Sequence, residues 1–258
     1  MPDQKQLAEN FRELHKPGEP VVLYNIWDPG SALAVHEVGA RAIATGSHGV
    51  ANAWGYEDGE KIPFEEALKN TQRIVELVDL PVTMDIETGY GQTPADVTAT
   101  VKKVVAAGVV GINIEDQLLG QSNVRDIAGQ VDRIAAARSA AEETGVRLFI
   151  NARSDIFRLA EPKDHNSSLL EQAIQRAKAY AEAGADGFFL PGISDSELIR
   201  ELCQQCPVPV NIIMLPGVPS TQELAAAGVA RISYGPIPYL QMIDWLKEKA
   251  RAALGAEE

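Results

Sequence analysis

The chain has 258 residues, 45% hydrophobic and 23% charged, a composition that suits a folded globular protein and excludes a disordered one. Thirty-six acids against 23 bases leave a net charge of −13, which repels phosphate backbones and anionic lipid, so the expected partner is a small molecule, with no nucleic acid and no membrane. No run of about 18 apolar residues is present to span a bilayer.

Met1-Pro2-Asp3-Gln4-Lys5 lacks a basic start leading into an apolar stretch, so no secretory signal is expected and the cytoplasm is the expected location. The first twenty residues are polar and read as a helix packed on the outside of the fold. After them, short β-branched runs alternate with longer segments of helical period. In chain order the expected strand and helix pairs are 21–27 with 31–38, 42–46 with 63–78, 81–87 with 94–107, and 111–116 with 129–144. The later pairs are 148–155 with 167–183, 186–192 with 195–205, 209–215 with 220–227, and 231–235 with 238–254. Gly39, Gly108, Gly184 and Gly228 each follow a helical segment, where glycine suits the left-handed residue that turns the chain toward the next strand. The strands are continuously apolar, the pattern of a parallel sheet buried on both faces. Eight β-then-α units predict a closed (β/α)8 barrel in one domain over 1–258. An open doubly wound sheet is the alternative, and no GxGxxG follows the first strand to favour it. Cys203 and Cys206 are too few for a disulfide framework, and Pro207 closes their helix where a redox dithiol needs a helix start.

A barrel's chemistry sits at the C-terminal ends of its strands. There the chain places Asn25 to Asp28, Thr45-Gly46-Ser47-His48, Asp85 with Glu87, Glu115-Asp116-Gln117, and Asn151 to Asp155. Asp85 and Glu87 are two apart and share a face of an extended strand, with Glu115 at the matching place on the next. Like charges so clustered need a balancing cation, and an all-oxygen set suits Mg²⁺ or Mn²⁺. Asp58, after Gly55-Tyr56-Glu57, is a candidate fourth member. The competing reading is an ion-pair network with Arg153. Arg153 is also a candidate two-pronged anion grip. The Gly46-Ser47 turn offers backbone N–H groups to a carboxylate, and His48 is the one histidine beside a strand end. Asn25, Asn151 and Asn211 are candidate orienting groups. Tyr24, Tyr56 and His48 are candidate proton sources, and Thr45 and Tyr24 complete the candidate substrate contacts.

With these residues the chain resembles the isocitrate lyase and phosphoenolpyruvate mutase superfamily. The matching stretches are Gly46-Ser47 with Gly55 to Asp58, Met84-Asp85-Ile86-Glu87-Thr88-Gly89-Tyr90-Gly91, Gly111-Ile112-Asn113-Ile114-Glu115-Asp116-Gln117, Asn151-Ala152-Arg153-Ser154-Asp155, and Pro209-Val210-Asn211 with Gly228 to Ser233. The resemblance implies a Mg²⁺ enzyme acting on small 2-oxo or 2-hydroxy carboxylates, a homotetramer or dimer, with the terminal helix swapped between neighbours. By position it implies Asp85 as the direct metal ligand, with Asp58, Glu87 and Glu115 reaching the metal mostly through water. It implies Gly46, Ser47 and Arg153 as the carboxylate grip and Asn211 as a pocket residue.

Two departures bear on the reaction. The family's lyases carry a Lys-Lys-Cys-Gly-His loop after the fourth strand, and here no cysteine lies between Asp116 and Cys203. Its phosphonate enzymes carry Lys-x-Asn there, and Gln121-Ser122-Asn123 keeps only the asparagine, leaving Asn123 a candidate catalytic group. Decarboxylation of a β-oxo acid needs an electron sink and no base, whereas retro-aldol cleavage needs a base and a proton donor. The expected function is therefore Mg²⁺-dependent carbon–carbon cleavage through a metal-stabilised enolate, of the oxaloacetate decarboxylase or methylisocitrate lyase kind. Phosphonopyruvate-type mutase or hydrolase chemistry, and a barrel that binds a dicarboxylate without turnover, are the alternatives.

Overall fold

In the computed structural model, which describes residues 3–255, the Asp3 side chain accepts the Lys5 N–H and caps α1 (Gln4–Glu13). The eight expected units follow. They are β1 (Val21–Leu23) with α2 (Pro29–Glu37), β2 (Ile43–Ala44) with α3 (Ser47–Ala53) and α4 (Phe64–Leu77), β3 (Val82–Asp85) with α5 (Pro94–Ala106), and β4 (Gly111–Glu115) with α6 (Ile127–Thr144). The second half has β5 (Phe149–Arg153) with α7 (Ile156–Leu159) and α8 (Ser167–Glu182), β6 (Gly187–Phe189) with α9 (Ser196–Gln205), β7 (Val210–Ile213) with α10 (Thr221–Ala226), and β8 (Arg231–Ser233) with α11 (Ile237–Leu254). The one-domain expectation ran over 1–258; residues 1, 2 and 256–258 lie outside the described residues.

All strand pairs are parallel, in the order β1-β8-β7-β6-β5-β4-β3-β2. A single bridge, Ile26 to Thr45, joins the two ends of that order. There Ile26 N–H donates to Ala44 O at 2.9 Å and Gly46 N–H to Ile26 O at 3.0 Å. The result is the expected (β/α)8 barrel. Gly39, Gly108, Gly184 and Gly228 have φ between +90° and +105°, the left-handed turn expected after a helix. The strands are shorter than the apolar runs suggested, because their last residues leave the ladder to form the rim of the C-terminal mouth. A helix that the sequence did not announce, α3, starts at Ser47 directly after β2.

The N-terminal helix does more than lie on the outside. Its Phe11 is fully buried against Phe149, with ring centroids 5.5 Å apart, and His15 stacks on the same ring at 4.0 Å. A side chain at Gly111 would meet Phe11 Cε1 at 2.6 Å, so glycine there admits the wedge. Arg12 donates to Asp186 Oδ1 at 2.7 Å, and α1 thereby covers the N-terminal ends of β4, β5 and β6. Inside the barrel Arg231 is buried and donates to Asn113 Oδ1 at 3.1 Å, and Asn151 Nδ2 donates to the same oxygen at 2.9 Å. This leaves the C-terminal mouth as the open end.

Candidate active site

Asp85 ends β3. Its N–H donates to Thr45 Oγ1 at 3.0 Å, so Thr45 is a buried brace behind the acid. The Asp85 carboxylate accepts Glu87 N–H at 3.1 Å and faces a cavity of about 220 Å³ together with Ser47, His48, Asp58, Asn113 and Arg153. A second cavity, of about 570 Å³, shares Ser47, Asp58 and Arg153 with the first and exposes Glu87 and Glu115. The four acids picked from the sequence thus border one continuous mouth.

Two loops hold them. Glu87 Oε2 accepts the N–H groups of Gly59 and Glu60 at 2.8 and 2.7 Å. In return Glu60 Oε1 accepts the Thr88 hydroxyl at 2.6 Å and Tyr90 N–H at 2.9 Å. Glu60, Glu87 and Tyr90 have φ of +58°, +51° and +51°, a left-handed conformation that non-glycine residues adopt at a cost and keep only where surroundings impose it. Arg133 of α6 ties down the second loop from below, donating to Thr88 O, to Gly91 O at 3.0 Å and to Gln92 O at 2.9 Å. A Cβ at Gly91 would lie 2.2 Å from Asp96 Cβ, which accounts for glycine in that motif.

Arg153 donates Nε and Nη2 to Asp155 at 2.7 and 3.0 Å, and Nη1 reaches Glu115 Oε2 at 2.7 Å. Three of its five N–H bonds are so used, and two remain for an anion. The ion-pair reading therefore holds for Glu115. Asp85, Asp58 and Glu87 have no lysine or arginine pair among the described residues, and Asp58 has only His48 Nδ1 at 4.0 Å. Burial and the charges of Asp58 and Asp85 push the Glu87 carboxyl up to about 8. Burial also raises Asp85, with Arg153 and the Glu87 and Ser47 N–H groups opposing. Burial raises Glu115 against the pull of Arg153.

Among the described residues no three His, Cys, Asp or Glu side chains converge into a ready cation cage. Glu87 is turned to amides and Glu115 to Arg153, so each acid has a partner of its own. The donor chemistry still fits a hard divalent cation: Asp85, Asp58 and Glu87 repel one another and have no lysine or arginine ion pair among the described residues, and clustered carboxylate oxygens are the ligands Mg²⁺ takes.

The other candidates are spread more widely. Gly46 lines the cavity, but its N–H donates to Ile26 O. Asn25 lines it too, with Oδ1 accepting Tyr234 and Gly235 N–H at 2.9 and 2.8 Å. Asn211 is buried outside the cavity lining, its Oδ1 accepting the Ser233 hydroxyl at 3.2 Å and its Nδ2 unpartnered among the described residues. Tyr24 lies outside the acid cavity, packed at a tilt of 52° against Tyr234 with centroids 5.0 Å apart. Tyr56 donates to Glu66 at 3.4 Å. Asn123 is exposed in the turn after β4, where its carbonyl accepts Leu118 N–H at 3.1 Å. Asp116 is a tie between strands, accepting Asp155 N–H at 3.0 Å and the Tyr180 hydroxyl at 2.8 Å. Cys203 and Cys206 are half-buried, and burial pushes their thiols up to about 12 and about 11.

Sequence reasoning missed Glu60 and Arg158. Arg158 lines both cavities and bonds Asp155 Oδ2 at 2.7 Å and Gln117. Its signal was available, since it stands three residues after Asp155 on the helical spacing of α7. Glu60 belongs to no motif, and only the folded loops bring it to residue 88.

Comparison with known proteins places these residues in context. The family profile described as phosphoenolpyruvate phosphomutase matches residues 11–254. The 2-methylisocitrate lyase of Escherichia coli K12 is 30% identical over 86% of this chain and 79% of its own. The oxaloacetate decarboxylase of Pseudomonas fluorescens SBW25 is 29% identical over 95% of this chain and 84% of its own. Among solved structures, a provisionally described phosphonomutase from Burkholderia cenocepacia J2315 superposes with a TM-score of 0.94, at 44% identity over 98% of this chain and all of that one.

Proposed function

We propose that this chain, which belongs to the phosphoenolpyruvate phosphomutase family, is a divalent-metal carbon–carbon lyase acting on a small 2-oxo or 2-hydroxy carboxylate. The family's relatives here include lyases and decarboxylases of such acids. The observation that carries the reading is the set of three carboxylates, Asp85, Asp58 and Glu87, without lysine or arginine pairs among the described residues, beside an arginine with two free N–H bonds.

Asp85 would hold Mg²⁺ (or Mn²⁺), with Asp58, Glu87 and Glu115 around it. The bound cation supplies Lewis acidity toward the charge that develops as the carbon–carbon bond breaks. The chain's own groups do the rest. Arg153 grips the substrate carboxylate through its spare N–H bonds, while the Gly46 N–H is committed to Ile26 O and the Ser47 N–H to Asp85. His48 borders the cavity with Asp58 and is placed to return a proton to the product carbon. Of the three proton sources weighed from the sequence, it alone lines the acid cavity. Loss of carbon dioxide asks for no base, so this set suffices for decarboxylation, with retro-aldol cleavage next.

The test is a panel of oxaloacetate, methylisocitrate, dimethylmalate and phosphonopyruvate, with and without Mg²⁺, reading pyruvate and phosphate. Pyruvate release that a chelator abolishes, and that Asp85→Ala abolishes with the fold intact by circular dichroism, is the expected result. Turnover persisting under chelation refutes the reading, and phosphate release moves it to phosphonate chemistry, which the profile's description favours. Self-association belongs to the same proposal, because α11 exposes Leu240, Trp245 and Leu246 along its length.

A further inference from the structure

β4 runs between the strand that ends in Asp85 and the strand that ends in Arg153. Its Asn113 pairs in register with Asp85 on one side and Asn151 on the other, two residues before Glu115 and on the same face. Asn113 is buried except for 6% of its surface and lines the acid cavity together with Asp85 and Arg153. Its Oδ1 accepts Asn151 Nδ2 at 2.9 Å and Arg231 Nη2 at 3.1 Å. A guanidinium donates and never accepts, so the amide atom turned to Arg231 is the oxygen and the one turned away is the NH₂. Arg231 is 1% exposed, and burial lowers its guanidinium to about 9, which leaves it charged at neutral pH. Its Nε and Nη1 have no partner among the described residues, so this buried charge, costly in itself, has the neutral Asn113 oxygen as its one acceptor.

Asn113 Nδ2 donates to no group among the described residues, and the little surface left to the residue opens on the cavity. The amide is thus held from behind and lacks only an acceptor in front. With Arg153 on the carboxylate of a 2-oxo or 2-hydroxy acid, the oxygen on the next carbon is the acceptor still to be met. We infer that Asn113 Nδ2 donates to that 2-oxygen and to the negative charge that develops on it as the carbon–carbon bond breaks. A donor fixed before the substrate arrives needs no reorientation as charge develops, which is where a hydrogen bond contributes most to a transition state. The inference rests on the proposed head site at Asp85 and Arg153 and adds a third contact to it.

The experiment titrates oxalate, a planar dianion shaped like the enolate of pyruvate, into the protein in saturating Mg²⁺ and reads binding by calorimetry. Asn113→Leu removes the donor without adding charge. Asn113→Asp removes it while keeping an oxygen acceptor for Arg231 and Asn151, so the buried guanidinium is not orphaned. Both variants bind oxalate about 10- to 100-fold more weakly than the unaltered chain, the worth of a hydrogen bond to a charged acceptor. Either variant, folded by circular dichroism and binding oxalate as tightly as the unaltered chain, overturns the inference. So does a loss confined to Asn113→Asp with Asn113→Leu folded, which is charge repulsion alone. A crystal of the unaltered protein with oxalate and Mg²⁺ decides without any variant. Nδ2 within hydrogen-bond distance of an oxalate oxygen supports the inference, and Nδ2 away from it overturns the inference while the head site stands. If oxalate does not bind the unaltered chain in Mg²⁺, the head site falls and this inference with it.

Discussion

His48 enters the mouth of the candidate active site because α3 begins immediately after β2, and the turn of that helix brings its ring 4.0 Å from Asp58. If it returns the proton, His48→Asn should lower kcat by about 10²- to 10⁴-fold, the usual worth of a general acid, with KM little changed. Steady-state kinetics on whichever panel compound is turned over decides this. His15 is the opposite case, a histidine with no access to substrate. Burial, and then the nearby Arg231 charge, push its ring down to about 3 from an ordinary 6.5, so it stays neutral in the folded state while the unfolded chain takes up a proton below about 6.5. Its contribution is therefore complete above pH 6.5 and is lost as pH falls from there toward 3. Replacement by glutamine should make the acid side of a stability-against-pH curve shallower, by a few kcal/mol at most, measured by urea denaturation. At this scale the acids were legible, because period-two spacing and strand ends are properties of the local chain. His15 was not, since nothing in a polar first helix announces that its ring will stack on Phe149.

The elements that matter most are the two loops after β2 and β3. The first donates the Gly59 and Glu60 N–H groups to Glu87 and the second donates the Thr88 hydroxyl and the Tyr90 N–H to Glu60, so the position of Asp58 depends on Glu60 through residues 88 and 90. Glu60→Ala leaves a hydroxyl and an amide without their acceptor, which costs about 1–3 kcal/mol where such groups are buried. The expected outcome is a lower melting temperature together with weaker Mg²⁺ uptake, the second seen by calorimetry. A drop in melting temperature with unchanged Mg²⁺ affinity would separate the clasp from the site. The alternation of strands and helices was readable from periodicity and from the glycines that end helices. The clasp was not, because it joins segments about 28 residues apart through a glutamate that fits no motif.

For the whole molecule, the eightfold pattern predicted the barrel, and the parallel order of its strands follows. The sequence was silent on how evenly the barrel is closed, because ladder length depends on where each strand end leaves for the rim. β4 and β5 pair at five positions, whereas β1 and β2 meet at the single bridge between Ile26 and Thr45. That bridge is the thinnest stave joint of the cask, and Gly46 and Ser47 hang from it. In deuterated buffer the amides of Ile26 and Gly46 should therefore gain label before those of Ile112 or Ala152, as peptide-resolved mass spectrometry would record. An occupant reaching from Ser47 across to Arg153 would act as a hoop over the joint, so slower labelling at these two positions would report binding without any turnover being watched.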